Sequence, residues 1–212
     1  MSKKDIQSMS KVRRLNLINS LSGIKPANLI GTINKEGNEN LAIFSSVVHL
    51  GSNPALFGFI VRPQGEVRRH THENIISCGV YTINFVTTDF IQNAHYTSAK
   101  FEASVNEFEK SQLTPTYIAS FPAPFVEESP IKLGLSFVEE IPIKSNKTSL
   151  IIGEVEHIIL PEKILNNNGH IDLGEHHIAG ISGLNTYYSL HKKDRFPYVR
   201  RHHSLADLKE NT

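Results

Sequence analysis

Short segments rich in β-branched and aromatic residues, separated by polar turns, occupy most of the chain. Six of them stand out: Asn28–Ile33, Leu41–His49, Leu56–Val61, Val80–Val86, Ile131–Glu139 and Ser149–Leu160. Segments of this length and composition favour β-strands over helices. They predict a mainly β fold in which antiparallel strands form the core and the helices are short.

A tight turn separates the first two segments. The residues Asn34-Lys35-Glu36-Gly37 end in a glycine, which can adopt the positive φ that a short hairpin loop requires. We therefore expect the first two strands to form a β-hairpin.

Two short helices are predicted between strands. Thr71 is placed to cap a helix through Cys78, and Gly79 is placed to end it in the left-handed conformation. Ser104-Val105-Asn106-Glu107 has the spacing of a capping box, in which the serine and glutamate side chains each satisfy a backbone N–H. A second short helix is expected to begin at about Val105.

The remaining segments define the domain organisation. Phe121–Phe125 contains two prolines, which lack backbone donors and favour polyproline conformation, so we expect a surface connection that divides the strands into two blocks. A last strand is predicted around Pro197–Val199. The 212 residues are expected to form one domain over 1–199 and a polar tail over 200–212, frayed or loosely docked as a helix.

Charge and cysteine content narrow the function. The 22 Lys and Arg nearly balance the 21 Asp and Glu, and a net charge of +1 does not provide the basic surface of a nucleic-acid-binding protein. The single cysteine excludes an intramolecular disulfide and suits a reducing compartment. The longest apolar run, Ala55–Val61, is far below the roughly 20 residues that span a bilayer. We expect a cytoplasmic protein with a small-molecule ligand and without nucleic-acid or membrane partners.

Common cofactor and metal motifs do not match the sequence. No two of the 13 glycines have Gly-x-Gly spacing, which excludes the Rossmann fingerprint and the kinase glycine loop. His70 and His72 stand two apart, and two such residues diverge on a helix. A second cluster of ligand-type residues is also consistent with a solvated polar loop: His170, Asp172, Glu175, His176 and His177. We predict no metal site, and a metal-dependent hydrolase is the least favoured reading.

Five blocks of sequence occur in order between about Pro26 and Tyr188. The first is Asn-Leu-Ala-Ile-Phe-Ser at 40–45 followed by Ser-Asn-Pro at 52–54. The others are Arg62 with Arg69–Ile75, Tyr81–Val86, His95–Phe101 with Asn106–Glu109, and Gly183–Tyr188. Together they resemble the flavin reductase-like, FMN-binding split-barrel family, in which the first block is Asn-Leu-Ala-Pro-Phe-Ser. The resemblance implies an antiparallel split β-barrel that binds FMN.

The sequence departs from that family around the expected ring pocket. Ile43 stands where the family usually has proline, and Ser46 and Val47 stand where bulky aromatics are common. These differences affect the shape of the ring pocket more than FMN binding itself.

An FMN site needs a slot for the flat ring, donors for the ring carbonyls and a cradle for the phosphate. Phe44 and Ser45 mix an apolar side chain with a small hydroxyl at a strand end, and the resemblance implies that Ser45, Ser46 and Val47 line the flavin. An ordinary strand with one polar face would have the same composition.

Residues suited to bind a phosphate follow in the chain. Arg62 and Arg69 carry guanidinium groups that match phosphate oxygens, and Thr71 lies at a helix start, where backbone N–H groups favour anions. His95, Ser98 and Lys100 are candidates to reach the phosphate or the ribityl chain. Solvated arginines and an exposed polar loop remain the alternative explanation.

The resemblance implies an oxidoreductase in which NAD(P)H passes a hydride to the flavin. This reaction needs no catalytic triad or carboxylate pair, since the cofactor carries the chemistry. A non-catalytic FMN-binding or electron-carrier protein is the alternative. Split-barrel relatives place the flavin at a subunit interface, so we expect a homodimer, with Leu184, Tyr187 and Tyr188 as candidate interface residues.

Overall fold

The computed structural model describes residues 1–63, 69–102, 104–118 and 120–208. The helices of these residues are α1 (Lys3–Ser8), α2 (Lys11–Ser20), α3 (His70–Cys78), α4 (Ile91–Tyr96) and α5 (Glu107–Ser111). Three short 3-10 helices lie at Thr88–Phe90, Glu162–Ile164 and Leu205–Leu208. Among the described helices, none has the length and apolar character needed to cross a membrane.

Twelve strands are defined in the described residues. They are β1 (Lys25–Pro26), β2 (Asn28–Ile33), β3 (Glu39–Phe44), β4 (Val48–Ser52), β5 (Ala55–Val61), β6 (Val80–Phe85), β7 (Pro115–Ile118), β8 (Phe121–Val126), β9 (Lys132–Ile143), β10 (Thr148–Ile159), β11 (Ala179–Ser182) and β12 (Thr186–Ser189). Seven of them form one sheet in the order β3-β2-β6-β9-β10-β5-β4. A three-stranded sheet, β1-β11-β12, and a two-stranded sheet, β7-β8, complete the architecture.

Every strand pair is antiparallel, and the fold is the predicted split β-barrel. The hairpin between β2 and β3 is confirmed, with Ile33 opposite Glu39 and Gly37 at a φ of 87°. The Asn34 Oδ1 atom accepts the backbone N–H of Glu36 and of Asn38, at 3.0 and 2.8 Å. The turn therefore satisfies its own backbone donors.

Strand β2 is buried on both faces. Adjacent residues of a strand point to opposite sides, and here Leu29 and Ile30 pack into two different apolar clusters. The cluster around Ile30 fills the barrel and includes Phe59, Tyr81 and Ile151. The cluster around Leu29 packs α4 and α5 against the outside of the sheet, through Ala94 of α4 and Phe108 of α5. Its buried residues are Ala27, Leu29, Leu41, Val86, Phe90, Ala94, Phe108, Leu113, Val126, Ala179 and Ile181.

The predicted strand Leu41–His49 is wrong as a single element. The chain leaves the sheet after Phe44 and re-enters it at Val48, so β3 and β4 lie at opposite edges of the seven-stranded sheet. The three residues between them, 45–47, link the two edges of the open barrel. A break of this kind depends on where each half finds its pairing partner, which the local composition does not specify.

The proline-containing segment 121–125 is a buried strand, not a surface connection. Among the described strands, β8 pairs only with β7, and an edge strand tolerates prolines because its outer N–H groups need no partner. Side chains of β6, a strand of the seven-stranded sheet, hold the segment in place by hydrogen bonds. The Thr82 hydroxyl donates to Pro124 O at 2.6 Å, and the backbone N–H of Val126 donates to Asn84 Oδ1 at 2.9 Å.

Other expectations at helix ends and the C-terminus need correction. Asn106, not Ser104, caps α5, because its Oδ1 accepts the N–H of Phe108 at 2.9 Å and of Glu109 at 3.4 Å. Gly79 ends α3 in the left-handed conformation, as predicted. Residues 197–199 form no strand. The predicted tail contains the 3-10 helix Leu205–Leu208, which buries no residue, and its last four residues lie outside the described part of the chain.

Candidate functional site

A cleft of about 830 Å³ lies between the open edges of the barrel, beside α3 and α4. Its size is within the range of small-molecule sites. Its walls are apolar at Ala42, Ile43, Phe44, Val48, Ile60, Val61, Ile181 and Leu184, and polar at Asn19, Ser22, Lys25, Asn40, Ser45, Ser46, Arg62, Arg69, His70, Thr71, His95, Thr97, Ser98 and Asn185.

The charges of the cleft favour an anion. Lys25, Arg62 and Arg69 lie on its walls, and no acidic side chain of the described residues does. A concave site lined by one sign of charge concentrates ligands of the other sign. A phosphate-bearing ligand fits this arrangement better than a cation does.

The first turn of α3 forms one end of the cleft. The helix begins at His70, with Arg69 in the N-cap position, and its first intrahelical bond runs from the N–H of Glu73 to Arg69 O at 3.1 Å. The backbone N–H groups of residues 70–72 therefore have no acceptor within the helix, and at this helix end they favour a negatively charged ligand. Thr71 is not the N-cap that the sequence predicted; it lies in the first turn and is buried.

A buried polar network holds Thr71 in place. Asn40 Nδ2 donates to Thr71 Oγ1 at 3.1 Å and to Thr32 Oγ1 at 3.2 Å. Asn74 Nδ2 also donates to Thr32 Oγ1, at 3.1 Å. Among the described residues the Thr71 hydroxyl has no acceptor for its own proton, so it can donate to a ligand in the cleft. Asn40, which lines the cleft, is a site residue that sequence reasoning missed, although a buried asparagine in a strand is a signal of such a network.

The link between β3 and β4 supplies the opposite wall. Ser46 Oγ accepts the backbone N–H of Ile60 at 3.1 Å, which ties this link to β5. Phe44 packs edge-on against Phe59, with ring centroids 5.0 Å apart. Val47 points to the other side and is buried in the barrel core. The wall therefore consists of the Phe44 ring and small serine side chains, which a flat ligand can approach closely.

His95 reaches the cleft from α4. Its Nδ1 atom lies 2.9 Å from the hydroxyl of Tyr187 on β12, and the two rings are perpendicular with centroids 5.7 Å apart. This contact joins segments 92 positions apart in sequence. The Tyr187 ring also packs against the apolar cluster around Leu29.

Eight of the ten predicted site residues line this one cleft: Phe44, Ser45, Ser46, Arg62, Arg69, Thr71, His95 and Ser98. Their role toward a cofactor stays a prediction. Two do not line it. The Val47 side chain faces the core, since it alternates with Ser46 along the extended chain, and the Lys100 side chain is exposed outside the cleft.

The N-terminal segment also contributes to the cleft, which the sequence did not suggest. Asn19 lies in α2, Ser22 lies just after this helix, and Lys25 lies in β1. Lys25 Nζ donates to Ser22 Oγ and, at 3.3 Å, to Gly23 O. Because α2 buries none of its residues, no hydrophobic pattern marked it as part of a site.

The described residues contain no group of three or more His, Cys, Asp or Glu side chains that could hold a metal ion. In the loop after β10, Asp172 Oδ2 forms an ion pair with Lys192 at 3.0 Å. The Asp172 Oδ1 atom accepts the N–H of Gly174 at 3.1 Å. The hydrogen bond from Lys192 holds the pKa of the Asp172 carboxyl below its ordinary value. Asp172 thus serves the structure of its loop.

The donor set of the cleft fits FMN. An apolar wall lies next to the small serine side chains at 45–46, and cationic and N–H donors lie at the start of α3. These are the features that a flat heterocycle with a terminal phosphate requires. The buried network of Asn40 and Thr71 holds a hydroxyl donor at the cationic end.

Solved structures that are similar to this chain include the following three. A split-barrel protein of Shewanella frigidimarina NCIMB 400, assigned as a flavin reductase, is 44% identical, with a TM-score of 0.90 over 93% of this chain and 98% of its own. Nitrilotriacetate monooxygenase component B of Bacillus cereus is 21% identical, with a TM-score of 0.80 over 89% of this chain and 95% of its own. The FMN-binding protein of Thermus thermophilus is 18% identical, with a TM-score of 0.69 over 82% of this chain and 90% of its own.

The latter two show the fold alone, because their identity is low. The family model described as the flavin reductase like domain matches residues 24–175. That range contains the barrel strands from β2 to β10 and 17 of the 22 residues that line the cleft. By its sequence and by its split-barrel structure, this chain belongs to the family of the flavin reductase like domain.

Proposed function

We propose that the chain is an FMN-dependent oxidoreductase that takes a hydride from NADH or NADPH, working as a cytoplasmic homodimer. The observation that carries the proposal is the convergence of eight predicted residues from four segments on one cleft without an acidic wall among the described residues. When bound, FMN supplies the redox chemistry, because its ring can accept the hydride that a reduced nicotinamide gives up.

The residues of this chain bind and orient the ligand. Arg62 and Arg69 offer charge-assisted hydrogen bonds to a phosphate, and the first turn of α3 adds its N–H groups and the Thr71 hydroxyl. The residues Phe44, Ser45 and Ser46 provide the flat wall for the ring. The protein's contribution to the rate is therefore positioning.

A second copy of the chain is proposed to cover the open side of the cleft. Strand β4 is an edge of the seven-stranded sheet, and its Val48 and Leu50 side chains are exposed. Val48 also lines the cleft. An exposed apolar edge strand is suited to pairing with another chain. Of the three interface candidates, Leu184 lines the cleft and Tyr188 is exposed, which supports their assignment.

The test is an anaerobic titration. Protein loaded with FMN is mixed with NADH or NADPH, and the flavin absorption band is followed. Rapid bleaching above the rate of free FMN supports the oxidoreductase. Bound FMN that does not bleach supports the electron-carrier alternative. A protein that binds neither FMN nor riboflavin overturns the assignment of the cleft.

A further inference from the structure

His95 and Tyr187 form a hydrogen bond that has no role in the proposed function as stated above. Both residues are half-buried, and the Tyr187 hydroxyl lies 2.9 Å from His95 Nδ1. Among the described residues this is the hydroxyl's one hydrogen bond, and the other ring nitrogen of His95, Nε2, has no protein partner. His95 lines the cleft, so Nε2 is the nitrogen left for a ligand.

The hydrogen-bonding capacity of the two groups sets the direction of the contact. If Nδ1 carried the proton, it would donate to the phenol oxygen, and the phenol proton would have no acceptor among the described residues. If the phenol donates to Nδ1, the phenol proton and the Nδ1 lone pair are both used, and only Nε2 is left for a ligand. Burial raises the pKa of Tyr187 to about 12, so the phenol keeps its proton at physiological pH.

The same contact determines the protonation of Nε2, the ring nitrogen of His95 on the opposite side from Tyr187. A neutral imidazole has one proton, so when Nδ1 accepts, Nε2 must carry it. In the charged imidazole both nitrogens carry protons, and Nε2 is again a donor. With Tyr187 donating to Nδ1 in the neutral ring, His95 presents an N–H to the cleft in either state.

We propose that Tyr187 is a positioning residue, which orients His95 so that its Nε2–H donates to the phosphate of the flavin ligand. This inference rests on the proposed function and deepens it, because it adds a phosphate contact whose geometry is set from β12. The phosphate is the favoured acceptor because the walls of the same cleft bear Lys25, Arg62 and Arg69 and no acidic side chain of the described residues.

The central experiment is a double-mutant cycle on ligand affinity. His95→Ala, Tyr187→Phe and the double variant are titrated with FMN and with riboflavin at about pH 8. Tyr187→Phe keeps the ring and its packing. We expect it to weaken FMN binding about three- to tenfold, the effect of one hydrogen bond, and to leave riboflavin binding unchanged. The double variant should bind FMN no more weakly than His95→Ala alone.

A matched control and a spectroscopic readout separate positioning from simple stability. Tyr96→Phe removes the hydroxyl of an exposed tyrosine next to His95 on α4 that does not line the cleft, and it should leave both affinities unchanged. In histidine labelled with ¹⁵N, the His95 Nδ1 shift should be that of an unprotonated nitrogen in the wild type. It should move toward the protonated value in Tyr187→Phe, with His95→Ala identifying the signal.

The outcomes that overturn the inference are distinct from failure of the proposed function. Additive losses in the cycle, equal losses for riboflavin and FMN, or an unchanged ¹⁵N shift each exclude a positioning role for Tyr187. Wild-type protein that binds neither flavin instead overturns the assignment of the cleft itself.

Discussion

Asn40 and Thr71 are joined by a hydrogen bond of 3.1 Å between Nδ2 and Oγ1, although 31 positions separate them in sequence. The bond connects β3 to the first turn of α3. Both residues line the cleft and both are buried. The cationic end of the cleft is therefore built on a rigid strand and helix rather than on a loop.

Removing the Arg69 guanidinium should weaken FMN selectively. Arg69→Ala deletes a charge-assisted contact worth about 1.5–3 kcal/mol, which corresponds to an affinity loss of about 10- to 150-fold. Riboflavin lacks the phosphate, so its affinity should hardly change. Fluorescence titration of both ligands measures this. Lys100→Ala is the control, since it removes a charge that lies outside the cleft; equal losses of FMN and riboflavin with Arg69→Ala would place the phosphate elsewhere.

Thr71→Val should affect both stability and binding. The valine keeps the shape but leaves Asn40 Nδ2 without one of its two acceptors, which costs about 1–3 kcal/mol of unfolding free energy. FMN affinity should fall about fivefold, the value of a neutral hydrogen bond of about 1 kcal/mol. Urea unfolding and FMN titration give the two quantities. Thr71→Ser retains the hydroxyl and should recover most of both; a loss as large as that of Thr71→Val would mean that the hydroxyl is not the cause.

The proposed dimer should depend on the edge strand β4. Leu50 is 42% exposed on that strand, and Leu50→Glu would place a charge in an apolar contact between copies. We expect the variant to become monomeric at micromolar concentration, as measured by light scattering. Ile158→Glu changes a residue that is 61% exposed on β10, away from this edge, and should leave the mass unchanged. A monomeric wild type would refute the dimer.

Glu107 should make the protein less stable as pH rises. Its side chain is only 6% exposed and its Oε2 atom has no hydrogen-bond partner among the described residues. Burial raises the pKa of its carboxyl above the ordinary value of 4.5, so the folded protein retains this proton at pH values where the unfolded chain releases it. The stabilising effect is complete below pH 4.5 and is lost as pH increases through the folded-state pKa.

Glu107→Gln removes this titration and keeps the side-chain shape. The decline of unfolding free energy with pH above 4.5 should be shallower in the variant than in the wild type. Urea unfolding at a series of pH values measures both slopes. Parallel slopes would show that Glu107 keeps an ordinary pKa in the folded protein.

The sequence alone determined the elements whose signals are local. The strand Asn28–Ile33 was predicted with its observed ends, because its composition and its flanking turn are encoded within a few residues. The same holds for the Gly37 turn and for Gly79, where glycine relieves the cost of a positive φ. Motifs spread along the chain also identified eight of the 22 residues that line the cleft.

Tertiary structure alone decided what depends on distant partners. The break between β3 and β4 places Ser46 in the cleft and Val47 in the core, and it follows from pairing to strands far apart in sequence. Strand β8 is buried because Thr82 and Asn84 of β6 hydrogen-bond its backbone. The Thr71 hydroxyl was expected to cap a helix, and its partner is instead Asn40. The hydroxyl of Tyr187 reaches His95 for the same physical reason: hydrogen-bonding capacity is a property of a residue, but the partner is fixed only when the whole chain has packed.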